Sequence, residues 1–148
     1  MKAIGILFLA FLSFTSPELQ AQVNLQNNEI LYISTSSDIL FIDGSFANSS
    51  TATLTNNGQL YVRYNLNNDE SSMPAGSGKL FLNGPSTQTI SGSQVFNTYD
   101  LQTDNSSGIA LNNNLSGSGT HTYYFFSNTE KYFFLQRCIS HQLNLQIK

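Results

Sequence analysis

Few side chains in this chain of 148 residues combine into a chemical signature, and those that come nearest are two histidines, one cysteine and some acids. His121 and His141 stand twenty apart, with Cys138 three before the second. A structural zinc site takes closely paired Cys and His ligands, and this spacing supplies no such pair. Cys138 lies between Arg137 and Ile139 with no turn or helix start to expose a thiolate, so it does not read as a nucleophile. Glycan cleavage is the serious enzymatic alternative, and it requires two carboxylates converging on one bond. The one adjacent acid pair, Asp69-Glu70, falls in a stretch from Asn65 to Gly78 that holds Asn67, Asn68, Ser71, Ser72, Pro74 and Gly76. Such a stretch reads as a loop bulging from the fold, where neighbouring acids are expected only to aid solubility. The Gly-Gly-x-Gly-x-Asp nonapeptide and the Asp-x-Asp-x-Asp loop of calcium sites are both missing from the sequence. Tyr61, Tyr64 and Tyr99 are of the type that stacks on sugar rings when exposed. No catalytic, cofactor-binding or metal-binding residue is assigned, and the chain reads as a non-enzyme.

The elements that position these residues are marked by a repeat. Leu40-Phe41-Ile42, Leu60-Tyr61-Val62 and Leu80-Phe81-Leu82 are three copies of Leu, aromatic, aliphatic, with the leucines 20 residues apart. That period is too long for a heptad and too short for a domain, so it predicts coils of a solenoid. Gly58 and Gly78 stand two before their leucines, and the dipeptides Asp43-Gly44, Asn57-Gly58 and Asn83-Gly84 flank the copies; these dipeptides are expected to take positive φ at sharp corners. A fourth copy falls at Tyr99-Asp100-Leu101, one residue out of step, with Leu111 ten residues on as a second strand of the same coil. Within this register Asp43 stacks on Arg63 and Arg63 on Asn83, while Asp38 stacks on Gly58 and Gly78, so no second carboxylate joins either column. Tyr61 shares its position with Phe41 and Phe81 and is expected to cover or enter the core. An antiparallel sandwich, with strands every 8 to 12 residues, is the competing all-β architecture. The 20-residue register favours a right-handed parallel β-helix of about four or five coils.

The ends differ from the middle. Met1-Lys2, the apolar run from Ala3 to Phe14 and the polar stretch from Thr15 to Ala21 predict a secretory signal peptide over residues 1–21, an N-terminal signal helix cleaved after Ala21. The apolar run falls short of the roughly 20 residues of a membrane span, so no stable span is expected after cleavage. Residues 22–118 form the solenoid region, rich in Asn, Ser, Thr and Gly, with Arg63 and Lys79 as its cations. Seven acids oppose these two cations there, a net charge of −5, which leaves no basic stripe for nucleic acid. Residues 119–148 invert this composition, with seven aromatics from Tyr123 to Phe134, three cations, Cys138 and both histidines. One step of 20 from Leu101 reaches His121, where the pattern calls for an apolar residue. This atypical tail is expected to arise from a shift of reading frame near Thr120; the alternative is an amphipathic cap of the kind solenoid ends require. Asn48-Ser49-Ser50, Asn105-Ser106-Ser107 and Asn114-Leu115-Ser116 match the glycosylation sequon, which a bacterial origin would make idle.

The run Gly78-Lys79-Leu80-Phe81-Leu82-Asn83-Gly84, followed by Thr87-Gln88-Thr89-Ile90-Ser91-Gly92-Ser93, Val95-Phe96-Asn97, Leu101, Asn105 to Leu111 and Asn114-Leu115, resembles the repeat of large secreted proteins of Bacteroidetes. The likeness covers about residues 38–118. It implies a parallel β-helix and export as cargo of the type IX secretion kind, and a surface or adhesin-like role. In that family a further Leu strand stands where this chain has His121. The expected function is therefore a non-enzymatic, exported structural or adhesion-type surface module, part of a longer repeat protein. A glycan-binding module is the first alternative and a polysaccharide-active enzyme the second. The partners implied are cell-surface or extracellular polysaccharide or protein.

Overall fold

The computed structural model describes residues 22–125 and 143–147. The expected signal peptide, Cys138 and His141 lie outside these residues. Fifteen strands follow one another in the described chain: β1 (Leu25–Asn27), β2 (Ile30–Ile33), β3 (Ile39–Ile42), β4 (Phe46–Asn48), β5 (Thr53–Asn56), β6 (Gln59–Val62), β7 (Leu66–Asn68), β8 (Lys79–Leu82), β9 (Gln88–Ser91), β10 (Phe96–Thr98), β11 (Asp100–Thr103), β12 (Ile109–Leu111), β13 (Leu115–Gly117), β14 (His121–Phe125) and β15 (Leu143–Ile147). Every pairing is parallel and links a strand to its counterpart one coil away. The result is a β-solenoid of about five turns, and no helix among the described residues is long and apolar enough to cross a membrane.

The column has three faces. Face 1 is the sheet β1-β4-β7-β9-β12, and face 3 is β15-β14-β11-β8-β6-β3. Face 2 lies between them and is split into β2-β5 and β10-β13. On face 3 Leu40, Leu60, Leu80, Leu101 and His121 are direct partners, in steps of 20, 20, 21 and 20. His121 is thus in register, and its imidazole is buried at the core position of its coil. The stacking continues past Thr120 through β14 and on to β15.

Alternation sets which side chains enter the column, because successive residues of a strand point to opposite faces. In β6 Leu60 and Val62 are fully buried while Gln59 and Tyr61 point out. Ile33, Phe46, Leu54, Leu66, Ile90 and Phe96 complete the same apolar cluster from the other faces. A second ladder inside the column is polar. Asn27 Nδ2 donates to Asn48 Oδ1 at 2.9 Å, and Asn48 Nδ2 donates to Asn68 Oδ1 at 2.9 Å. Stacked asparagines at one coil corner satisfy each other, which removes the cost of burying an unpaired amide.

Two expectations are corrected here. Gly44, Gly58 and Gly84 do not take positive φ; the need for glycine there is closeness, since a Cβ on Gly44 would collide with Val23 O, one on Gly58 with Asp38 O and one on Gly84 with Arg63 O. Positive φ occurs instead at Gly76, Gly92 and Gly108. The stretch from Asn65 to Gly78 is not a loop bulging from the column either. It begins with β7, and Asn68, Glu70 and Met73 are all buried.

Spacing explains the break in face 2. From the face 1 partner to the face 3 partner the chain takes 14 residues in coil 2 (Phe46 to Leu60) and again in coil 3 (Leu66 to Leu80). It then takes 11 in coil 4 (Ile90 to Leu101) and 10 in coil 5 (Leu111 to His121). The path is wide through coil 3 and narrows at coil 4, so one continuous ladder cannot run across that step, and coil 3 crosses face 2 without a strand. The residues saved reappear at the opposite corner: Leu82 to Ile90 spans eight, where Val62 to Leu66 spans four. Buried Gln88 fills that wider corner, donating to Val62 O and Tyr64 O and accepting from Gly84 N and Asn105 Nδ2.

Candidate functional site

The outward column of face 3 gathers Phe41, Tyr61 and Phe81, the middle residues of the three repeats. They do not enter the core, because the flanking positions of each strand already face inward. The rings of Tyr61 and Phe81 are stacked, with centroids 4.1 Å apart and planes within 5°. Phe41 tilts against Tyr61 at 6.1 Å, and Lys79 Nζ lies 5.5 Å from the Phe81 centroid. Ring faces used up by other rings and by an ammonium are not free for a sugar, so Tyr61 presents its edge to solvent. Tyr64 sits at the corner after β6, with its N–H bonded to Gly44 O, and Tyr99 is exposed two coils away. The three tyrosines form no common platform.

Five of the described acids, Asp38, Asp43, Asp69, Glu70 and Asp100, contact other parts of the chain. Asp43 Oδ1 meets Arg63 Nε at 3.7 Å, an exposed pair of the kind that contributes little. Asp69 accepts from Ser93 N at 2.8 Å, Ser93 Oγ at 2.9 Å and Asn67 Nδ2 at 2.8 Å, and these bonds hold its carboxyl below the ordinary value of 3.8. Glu70 is turned inward. Its Oε2 accepts from Asn48 Nδ2 at 2.6 Å and from Leu54 N at 3.0 Å. Leu54 N points toward coil 3, where a regular solenoid would offer a strand carbonyl; the carboxylate substitutes for it. Asp38 Oδ2 accepts from Thr35 N and Asp100 Oδ1 from Thr120 N. Asp69 and Glu70 are adjacent in sequence yet serve different coils, so they do not converge as an acid pair.

Burial pushes the His121 imidazole below its ordinary value of 6.5, partly offset by the charge of Asp100. Among the described residues no group of three His, Cys, Asp or Glu side chains is placed to hold a metal ion.

Among the described residues a concavity lies at the break in face 2. A cavity of about 430 Å³ opens between the strandless passage of coil 3 and strands β10 and β13. Glu70, Ser71 and Met73 line it from above, and Gln94, Asn97 and Asn114 are among the side chains that line it from below. Asn97 is fixed by donating from Nδ2 to Met73 O at 2.8 Å. None of the lining amides stands out in the sequence, which is rich in Asn and Gln throughout. The available signal was the shortening of the path to Leu101 and His121, which only strand pairing makes measurable.

Fold and surface define the class as a parallel β-solenoid. Comparison with known proteins adds no nearer relation: no family model, no curated protein and no solved structure matches the chain.

Proposed function

We propose that the chain is a non-enzymatic, exported structural and adhesion-type surface module, belonging to a longer secreted repeat protein of the Bacteroidetes type IX cargo kind. The observation that supports this reading most directly is the use of the acids. Asp43, Asp69, Glu70 and Asp100 each tie one coil or corner to another, which suits a scaffold, and among the described residues none of these four faces another as a general acid facing a general base. A column on the order of 20 Å long, built from coils about 4.8 Å apart, displays its outward columns at fixed spacing, as a module that meets extended polymers requires. Glycan binding is the second reading, favoured by the amide-lined cavity on face 2. The test uses the full chain in an adhesion assay on surfaces coated with neutral polysaccharide or with extracellular matrix protein, alongside a reducing-end assay on the same polysaccharides. Adhesion without release of reducing ends is the expected result. Time-dependent release of reducing ends would overturn the reading in favour of a polysaccharide-active enzyme.

A further inference from the structure

We propose that the cavity at the break in face 2 is a binding site for a neutral saccharide, a deeper statement that rests on the adhesion-module reading. Four observations carry it. The first is chemical: Ser71, Gln94, Asn97, Asn114 and Ser116 bring amides and hydroxyls that both donate and accept, matching sugar hydroxyls, which do the same. Met73, Val95 and Leu115 add apolar surface for the ring C–H groups.

The second is charge. Glu70 is the only charged residue of the lining, and its Oε2 is committed to Asn48 Nδ2 and Leu54 N inside the column. The rest of the lining is uncharged and its one charge is a carboxylate, so an anionic ligand is disfavoured and a neutral one favoured. The third is size and shape, since about 430 Å³ lies within the usual range of small-molecule sites, roughly 300–1,000 Å³. A continuous face 2 would be flat; the concavity exists because coil 3 crosses without a strand.

The fourth is preorganisation. Asn97 is pinned to Met73 O, and Asn113 Nδ2 donates to both Gly92 O and Gln94 O, which fixes the backbone that carries Gln94. Groups already ordered before binding lower the entropic cost of capture.

The experiment is titration calorimetry of the full chain with neutral hexasaccharides of glucose, xylose and mannose in their common linkages, and with an oligogalacturonate as the acidic probe. Gln94→Ala and Asn114→Ala remove groove groups, and Tyr99→Ala removes an exposed aromatic that does not line the groove. Melting temperatures check that each variant is folded. Saturable binding of at least one neutral probe is expected, weakened about tenfold by either groove variant, as the loss of one hydrogen bond near 1.4 kcal/mol implies, and unchanged by Tyr99→Ala. Failure of every neutral probe to bind, binding of the acidic probe alone, or weakening by Tyr99→Ala without weakening by the groove variants would overturn the proposal. The coated-surface assay separates the two readings. If the chain adheres but no neutral saccharide binds, the groove assignment falls and the module stands. If saccharides bind in the groove but the chain adheres to nothing, the reverse holds.

Discussion

At the scale of single residues, the side chain that does most for its size is Glu70. It satisfies a backbone N–H that the irregular third coil would otherwise leave unpaired, and it closes one end of the Asn48 amide. Removing one partner of a buried hydrogen bond costs the desolvation of the group left behind, about 1–3 kcal/mol. Glu70→Ala is therefore expected to lower unfolding stability by about that amount, whereas Glu70→Gln, which keeps an acceptor oxygen, should lose less than half as much. Equal losses in urea titrations of the two variants would show that the acceptor is not what matters. His121 supplies a pH dependence of definite sign. Its folded-state pKa is lowered by burial below the ordinary 6.5, with Asp100 the nearby charge opposing the shift. The unfolded chain then binds a proton that the folded chain resists, so stability is lost as pH falls through about 6.5 and the loss levels off below the folded value. Asp69 acts lower, since its depressed carboxyl contributes stability that is lost as pH falls through 3.8 and below. Unfolding measured at pH 7.5 and pH 5 should show the wild type weakening while His121→Leu changes little; a parallel decline in both would sink the assignment.

At the scale of elements, the aromatic column of face 3 is a stabilising stack. Tyr61 and Phe81 are stacked across adjacent coils, one of the cross-strand pairings that contribute beyond area burial in sheets. A double-mutant cycle on Tyr61→Leu and Phe81→Leu should return a coupling of about 0.5–1.5 kcal/mol, while the cycle between Phe41→Leu and Phe81→Leu, two coils apart, should return about zero. Coupling of equal size in both cycles would mean that the stack is not a nearest-neighbour feature. The repeat leucines and these aromatics were legible because the period of 20 is kept strictly over the first three copies. Asp43 over Arg63 was legible for the same reason. The passage from Asp69 to Gly78 was not: its polar composition is that of a loop, and what puts Glu70 and Met73 inside is the mismatch of path lengths between coils 2 and 4. The Asn27, Asn48 and Asn68 ladder escaped notice because it steps by 21 and then 20 in a background full of asparagine. His121 is the reverse case. Its polarity suggested that the repeat had ended, yet backbone pairing holds it in register beneath Leu101.

At the scale of the whole molecule, a solenoid has no single core, and each coil is as stable as the neighbours on either side make it. The interior is unevenly filled along the column. Leu54, Leu60, Val62, Leu66, Leu80 and Leu82 in coils 2 and 3 are entirely buried, whereas Ile109 and Leu115 of coil 5 are only partly covered and Leu111 is exposed. Coil 5 brings only Leu115 as an apolar side chain across face 2, and β12 has one paired neighbour, β9, among the described strands. Local opening free energies follow such packing, from the global value in the best-buried elements down to near zero at the least buried. Hydrogen exchange followed by mass spectrometry should therefore show the amides of β4 to β8 protected to the full unfolding free energy and those of β12 and β13 exchanging at least about tenfold faster, a gap of about 1.4 kcal/mol. The gradient should steepen in Glu70→Ala, because the passage through coil 3 joins the two halves of face 2, and losing its anchor uncouples coils 4 and 5 from coils 1 and 2. Uniform protection along the column, unchanged by that substitution, would mean that the five coils fold as one cooperative block and that the break in face 2 carries no mechanical consequence.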